Sequence, residues 1–107
     1  MAPSKHVKEA RNDARKDAAA AHRLAVWYAM GEEGLDRDAS LWLRWEEEAA
    51  ERGYADAQHA LGSAYMHGIS GLPVDPETAF GWLRKAALQG RALLREIILH
   101  QLNLSSS

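Results

Sequence analysis

Sliding the 107-residue chain along itself by 37 positions superposes His22 on His59, Leu24 on Leu61, Tyr28 on Tyr65, Gly31 on Gly68, Gly34 on Gly71 and Leu35 on Leu72. The match runs on without a gap through Asp38 and Asp75, Trp45 and Trp82, Ala49-Ala50 and Ala86-Ala87, and Gly53 and Gly90. A constant register across Trp, Tyr and Gly positions restricts the chain to an array of like units, each burying its apolar face against the next. Composition says what the units are made of. Twenty alanines stand against seven Val, Ile and Thr residues together, so extensive β-sheet is excluded and helix is expected.

Each unit reads as two helices joined by a glycine-bearing loop. In the first helix, Leu24, Ala25 and Tyr28, like Leu61, Gly62 and Tyr65, recur at i, i+1 and i+4 and form a core stripe. Gly31 and Gly68 stand where a left-handed cap ends that helix. The loops GEEGLDRD and GISGLPVD share one apolar residue, Leu35 or Leu72, which pins the loop to the core. Asp38 and Asp75 are placed to accept from the free amides of a second helix, and Pro76 suits its first position. That helix is expected to end at Gly53 or Gly90. Paired alanines near its end leave room for the following helix, with Trp45 or Trp82 packing beside them.

The runs ADAQHALGSAYMHG (Ala55 to Gly68) and DPETAFGWLRKAALQG (Asp75 to Gly90) resemble a Sel-one-like repeat, a relative of the tetratricopeptide repeat, and residues Ala19 to Gly53 are a more diverged copy. Trp42 stands where the pattern has the small residue seen as Ala79, and Ala25 replaces the glycine seen as Gly62. The resemblance implies an all-α fold: an α-solenoid of two helix-turn-helix repeats, with inner helices lining a concave face that binds other proteins. It implies a scaffold with no shared catalytic residue and no cofactor. An alternative from the same resemblance is an enzyme-associated module acting on cell-wall or β-lactam-like substrates.

Five segments follow: a charged helical extension over 1–17, repeat one over 18–54, repeat two over 55–91, a half-repeat capping helix over 92–104, and a serine tail over 105–107. The extension carries five basic and three acidic residues between Ser4 and Asp17 and is expected to continue the first inner helix. In the cap, Leu94, Ile98 and Leu102 share one sector of a helical wheel, while Leu93, Ile97 and Leu104 form another roughly 100° away. The surplus apolar sector needs a cover. A homodimer contact through Leu93, Ile97 and Leu104, a partner helix, or further repeats of a longer array would each provide one.

The formal charge of −2 removes the basic excess that nucleic-acid binding needs, and no apolar run reaches the roughly 18 residues of a membrane span. With no cysteine and no apolar leader, we expect a cytoplasmic protein. His59 and His67 lie about 12 Å apart along one helix, and His22 and His59 roughly 9 Å apart on neighbouring helices, too far for a shared metal ion. The acidic run Glu46-Glu47-Glu48 reads as a solvated face, and no serine has a nucleophile's setting. The expected binding surface is the concave face: Arg23, Val26, Trp27 and Met30 from the first inner helix, with His59, Ser63 and His67 from the second. Trp27, outside the Leu24/Tyr28 stripe, is the candidate aromatic anchor.

Overall fold

The computed structural model describes residues 2–106, with side chains described for 2–103. Five α-helices follow one another: α1 (Lys5–Asp13), α2 (Ala18–Met30), α3 (Ala39–Glu51), α4 (Ala55–His67) and α5 (Pro76–Ser106), with a 3-10 turn, Ile69–Gly71, between α4 and α5. Helix pairs α2/α3 and α4/α5 are the two units, and α3 packs on α4 to join them.

The repeat holds at the level of backbone conformation. Gly31 and Gly68 end α2 and α4 in nearly the same left-handed geometry, at φ 70° and 66°, and the loops then cross the helix they leave. The Asp38 amide donates to the Tyr28 carbonyl at 3.0 Å, and the Asp75 amide donates to the Tyr65 carbonyl at 2.9 Å. Asp38 accepts from the Leu41 amide at 3.0 Å, and Asp75 accepts from both the amide and hydroxyl of Thr78. These bonds start α3 and α5 by satisfying amides that a helix leaves free. Leu35 is buried and Leu72 half-buried against the core, so each loop is pinned as its sequence implies.

The core sets small side chains around a few large ones, Leu24, Tyr28, Trp42 and Leu61 among them. Ala21, Ala25, Ala49, Ala50, Ala57, Ala64 and Ala79 are all buried, and the largest fully buried side chains are Leu24, Leu61, Glu46 and Val7. At Gly62 a methyl group would lie 2.6 Å from Leu83 Cδ2 and 3.2 Å from the Ala79 carbonyl oxygen, so α4 and α5 meet at the distance only glycine permits.

Two departures from the expected order are physical. The N-terminal segment is a separate helix, not an extension of α2: it turns at Ala14–Lys16 and packs Val7, Ala10 and Ala14 into the core. Shifting the bounds of α3 back by the 37-residue period gives 2–14, so α1 occupies the place of an outer helix in a preceding unit. Ser4 ties its start to the first loop through Glu33, and Arg11 donates to the Tyr28 hydroxyl at 2.7 Å.

The second departure is at Gly90. Gly53 turns the chain at φ 92°, but Gly90 is an ordinary residue inside the 31-residue α5, and residues 92–104 do not fold back as a third inner helix. The reasons lie in the residues that follow. Ala57, fully buried where α4 docks, corresponds to Leu94, which is too bulky for the same close approach and is 57% exposed. Gln58 is buried and donates to the Ala50 carbonyl at 3.1 Å, whereas its counterpart Arg95 would have to bury a charge. Strong helix formers then carry the helix straight on. Gln89, donating to the Gly53 carbonyl at 2.7 Å and to Gln58 Oε1 at 2.9 Å, ties α5 to the body just before the divergence. The result is elongated, 59 × 34 × 19 Å, with a radius of gyration of 16.7 Å against about 13 Å for a compact chain of this length. Leu104 lies outside the described side chains.

Gly90→Ala distinguishes the straight helix from a turn. In the helix nothing lies within 4 Å of the added methyl, so the variant should gain helical signal in circular dichroism and stabilise the segment by about 0.5–1 kcal/mol. Loss of helical signal would mean that the chain turns at Gly90 as it does at Gly53.

Candidate functional site

The residues expected on the inner-helix face differ in accessibility. Arg23, Met30, His59 and His67 are exposed, with Met30 at 56%, while Val26 and Ser63 are half-buried. Trp27 is half-buried and packs against the core, so part of its ring is already used within the fold. The two helices are linked at their beginnings, where the rings of His22 and Tyr54 lie 5.2 Å apart.

Beside that link lies a pair which the residue-by-residue reading missed. Glu46, expected on a solvated face, is 1% exposed, and its Oε1 meets His22 Nδ1 in a short hydrogen bond. The second carboxylate oxygen, Oε2, is buried with no donor in hydrogen-bonding geometry, and the Trp42 side chain gives only a lesser stabilisation of the charge. The repeat register contained the signal: shifted by 37, Glu46 falls on Leu83, a residue that faces Gly62 in the second unit. Unit one therefore has a carboxylate where unit two has a packing leucine. The hydrogen bond to Glu46 holds the His22 imidazole above its ordinary 6.5, with the nearby negative charges adding to it and burial opposing. Burial pushes the Glu46 carboxyl above its ordinary 4.5, more than the His22 bond pulls it down.

The distal part of α5 has the largest apolar exposure. Leu88, Leu93, Leu94, Ile97, Ile98 and Leu99 are each half exposed or more, with Leu93 at 60% and Ile97 at 50%. No helix among the described residues is long and apolar enough to cross a membrane. No group of three His, Asp or Glu among them is placed to hold a metal ion. Chemically, these surfaces are suited to binding.

The His22–Glu46 pair makes stability depend on pH with a definite sign. Both groups hold protons more tightly in the fold than in the unfolded chain, so the native state carries the larger share and stability falls as pH rises. The His22 contribution is complete below 6.5 and is lost as pH climbs through its raised value; that of Glu46 is lost likewise from 4.5 upward. Urea unfolding should show stability declining as pH rises above 4.5 and on through 6.5, flattened in Glu46→Gln, which keeps an acceptor for the imidazole without the charge. His22→Ala should lose about 3 kcal/mol at neutral pH by leaving the carboxylate alone. A pH-independent wild type would remove this account.

Comparison with known proteins accords with this geometry. The profile of the Sel1 repeat family matches residues 18–54 and 55–90. Among curated proteins, the chain is 41% identical over 68 residues to chitin synthase regulatory factor 3 of Schizosaccharomyces pombe, and 36% identical over 72 residues to the chitin synthase regulator SKT5 of Saccharomyces cerevisiae. These alignments cover 63% and 66% of this chain but only 7% and 10% of those much longer proteins. Among solved structures, a Sel1 repeat protein from Oxalobacter formigenes is similar at a TM-score of 0.70 and 36% identity, covering 78% of this chain and 63% of that one. The protective antigen c5321 of uropathogenic Escherichia coli, which displays an SLR fold, is similar at 0.72 and 34%, covering 78% of this chain and 18% of that one. With α2, α3, α4 and the first half of α5 inside the matched stretches, this chain is an α-solenoid and belongs to the Sel1 repeat family.

Proposed function

We propose that the chain is a non-catalytic protein-interaction module whose main docking element is the distal part of α5, and that its occupant there is a second copy of the same chain. The observation that carries the reading is the row of leucines and isoleucines on residues 88–99, each at least half exposed. Monomeric soluble proteins rarely leave so much contiguous apolar surface to water, whereas an interface core consists of it. Two such helices from identical chains would cover each other through the same residues, as a two-fold interface requires. Leu93 and Ile97, with Leu104 beyond the described side chains, form the proposed contact. The relatives named as chitin synthase regulators support a regulatory role exercised through binding, without fixing the target for this chain.

The inner-helix face is the proposed second surface, for a protein or peptide partner. Arg23, Met30, His59 and His67 offer exposed contacts, while Val26, Trp27 and Ser63 offer partly buried ones. Such a mixture of apolar area and hydrogen-bonding groups suits an extended peptide.

Light scattering tests the first part: the wild type should show a dimer that Leu93→Asp with Ile97→Asp converts to monomer, with helical content kept. A wild type that stays monomeric at high concentration sinks the self-association reading. For the inner face, His59→Ala with His67→Ala should weaken a captured partner several-fold in titration calorimetry, since both side chains stand clear of the core; unchanged affinity would reject that face.

A further inference from the structure

A groove of about 320 Å³ runs between α1 and α3, and it belongs neither to the inner-helix face nor to the distal part of α5. Its lining is Arg11 and Arg15 with Ala14 on one side, and Arg44, Trp45, Glu48 and Arg52 on the other. Four guanidiniums thus converge against one carboxylate, in a chain whose formal charge is −2.

The arginines are not required by the repeat. Shifted by 37, Arg44, Glu48 and Arg52 fall on Gly81, Lys85 and Gln89, and only Trp45 keeps its counterpart, Trp82. In the second unit Gln89, the counterpart of Arg52, makes the equivalent tie to the Gly53 carbonyl without a charge, so packing accounts for the tie but not for the concentration of charge. Nor is the cluster a pair of mobile surface chains at random. Arg11 is held by the Tyr28 hydroxyl at 2.7 Å; Arg52 donates to the Ala14 carbonyl at 2.7 Å and reaches Glu48 at 2.8 Å. Two guanidiniums are therefore fixed before any ligand arrives, and their order is already established by the fold. Arg44 lies over the Trp45 ring, 5.8 Å from its centre, and Arg15 extends exposed from the turn after α1. Both belong to the lining of the groove.

We propose that this groove binds a phosphomonoester dianion, with Arg11 and Arg52 as the preset floor, Arg15 and Arg44 as the closing arms, and the free edge of Trp45 as an apolar wall. A guanidinium forks two parallel N–H groups onto phosphate oxygens, and a tetrahedral dianion accepts such forks from several directions at once. A single planar carboxylate offers fewer directions to donors arriving from two helices. Glu48 opposes the ligand, and its pairing with Arg52 offsets much of that repulsion. The proposal does not depend on either surface proposed above.

The test is titration calorimetry of the full chain with three probes: inorganic phosphate, a short neutral peptide carrying phosphoserine, and the same peptide unphosphorylated. Saturable, salt-sensitive binding of a phosphorylated probe, with none for the unphosphorylated peptide, is expected. Tighter binding of the phosphopeptide than of phosphate assigns the site to a phosphorylated side chain; equal binding assigns it to the free anion. Arg15→Gln with Arg44→Gln should weaken binding roughly tenfold, with the thermal midpoint unchanged. The paired lysine substitutions should recover only part of the loss, because they restore charge without the fork. No saturable binding of either phosphate-bearing probe, or unchanged affinity in the glutamine variant, overturns the proposal.

Discussion

The structure depends on how closely neighbouring helices can approach. Alanines line the contacts within and between the two units, and Gly62 removes even the methyl where Leu83 and the Ala79 carbonyl press against α4. Tyr28, Trp42, Leu24 and Leu61 fill the core between the helices, and the small side chains around them let the backbones come close enough for that filling to be dense. The same constraint sets the extent of the stack. Ala57 lets α4 dock, and Leu94 at the equivalent position does not, so the chain runs straight through Gly90 where it turned at Gly53.

Within this scaffold the two units are not interchangeable. Unit one has Glu46 where unit two has Leu83, and it needs His22 to accommodate the buried carboxylate. It also carries Arg44 on α3 and Arg52 at its end, beside Arg11 of α1 and Arg15 of the turn that follows. The repeat keeps what packing requires, Trp45 and Trp82 among them, and the individual chemistry sits at positions where the register is broken.

Much of the fold was legible because its determinants are local. Glycine caps, aspartate caps and loop leucines act within a few residues, and all recur at the period, so the helix boundaries from Met30 to Pro76 could be read directly. Three features were not legible by that route. Glu46 was read from its acidic neighbours, although its register partner Leu83 pointed inward. The helix α1 shows almost no sequence likeness to α3, and its place as an outer helix follows only from the packing of Val7, Ala10 and Ala14. Gly90 carries the same signal as Gly53, and what differs is the bulk and charge of the docking residues after it. As for the candidate sites, the apolar surplus of 92–104 could be counted on a helical wheel. The arginine groove could not, because its two walls come from segments about thirty residues apart in the chain.

An uninterrupted α5 also changes what the chain can exchange with its neighbours. The residues that the register assigns to the next inner helix stand instead on an arm that projects from the body. Contacts between identical chains along such an arm close into a pair or run on as a filament according to the angle at which the arm leaves the body.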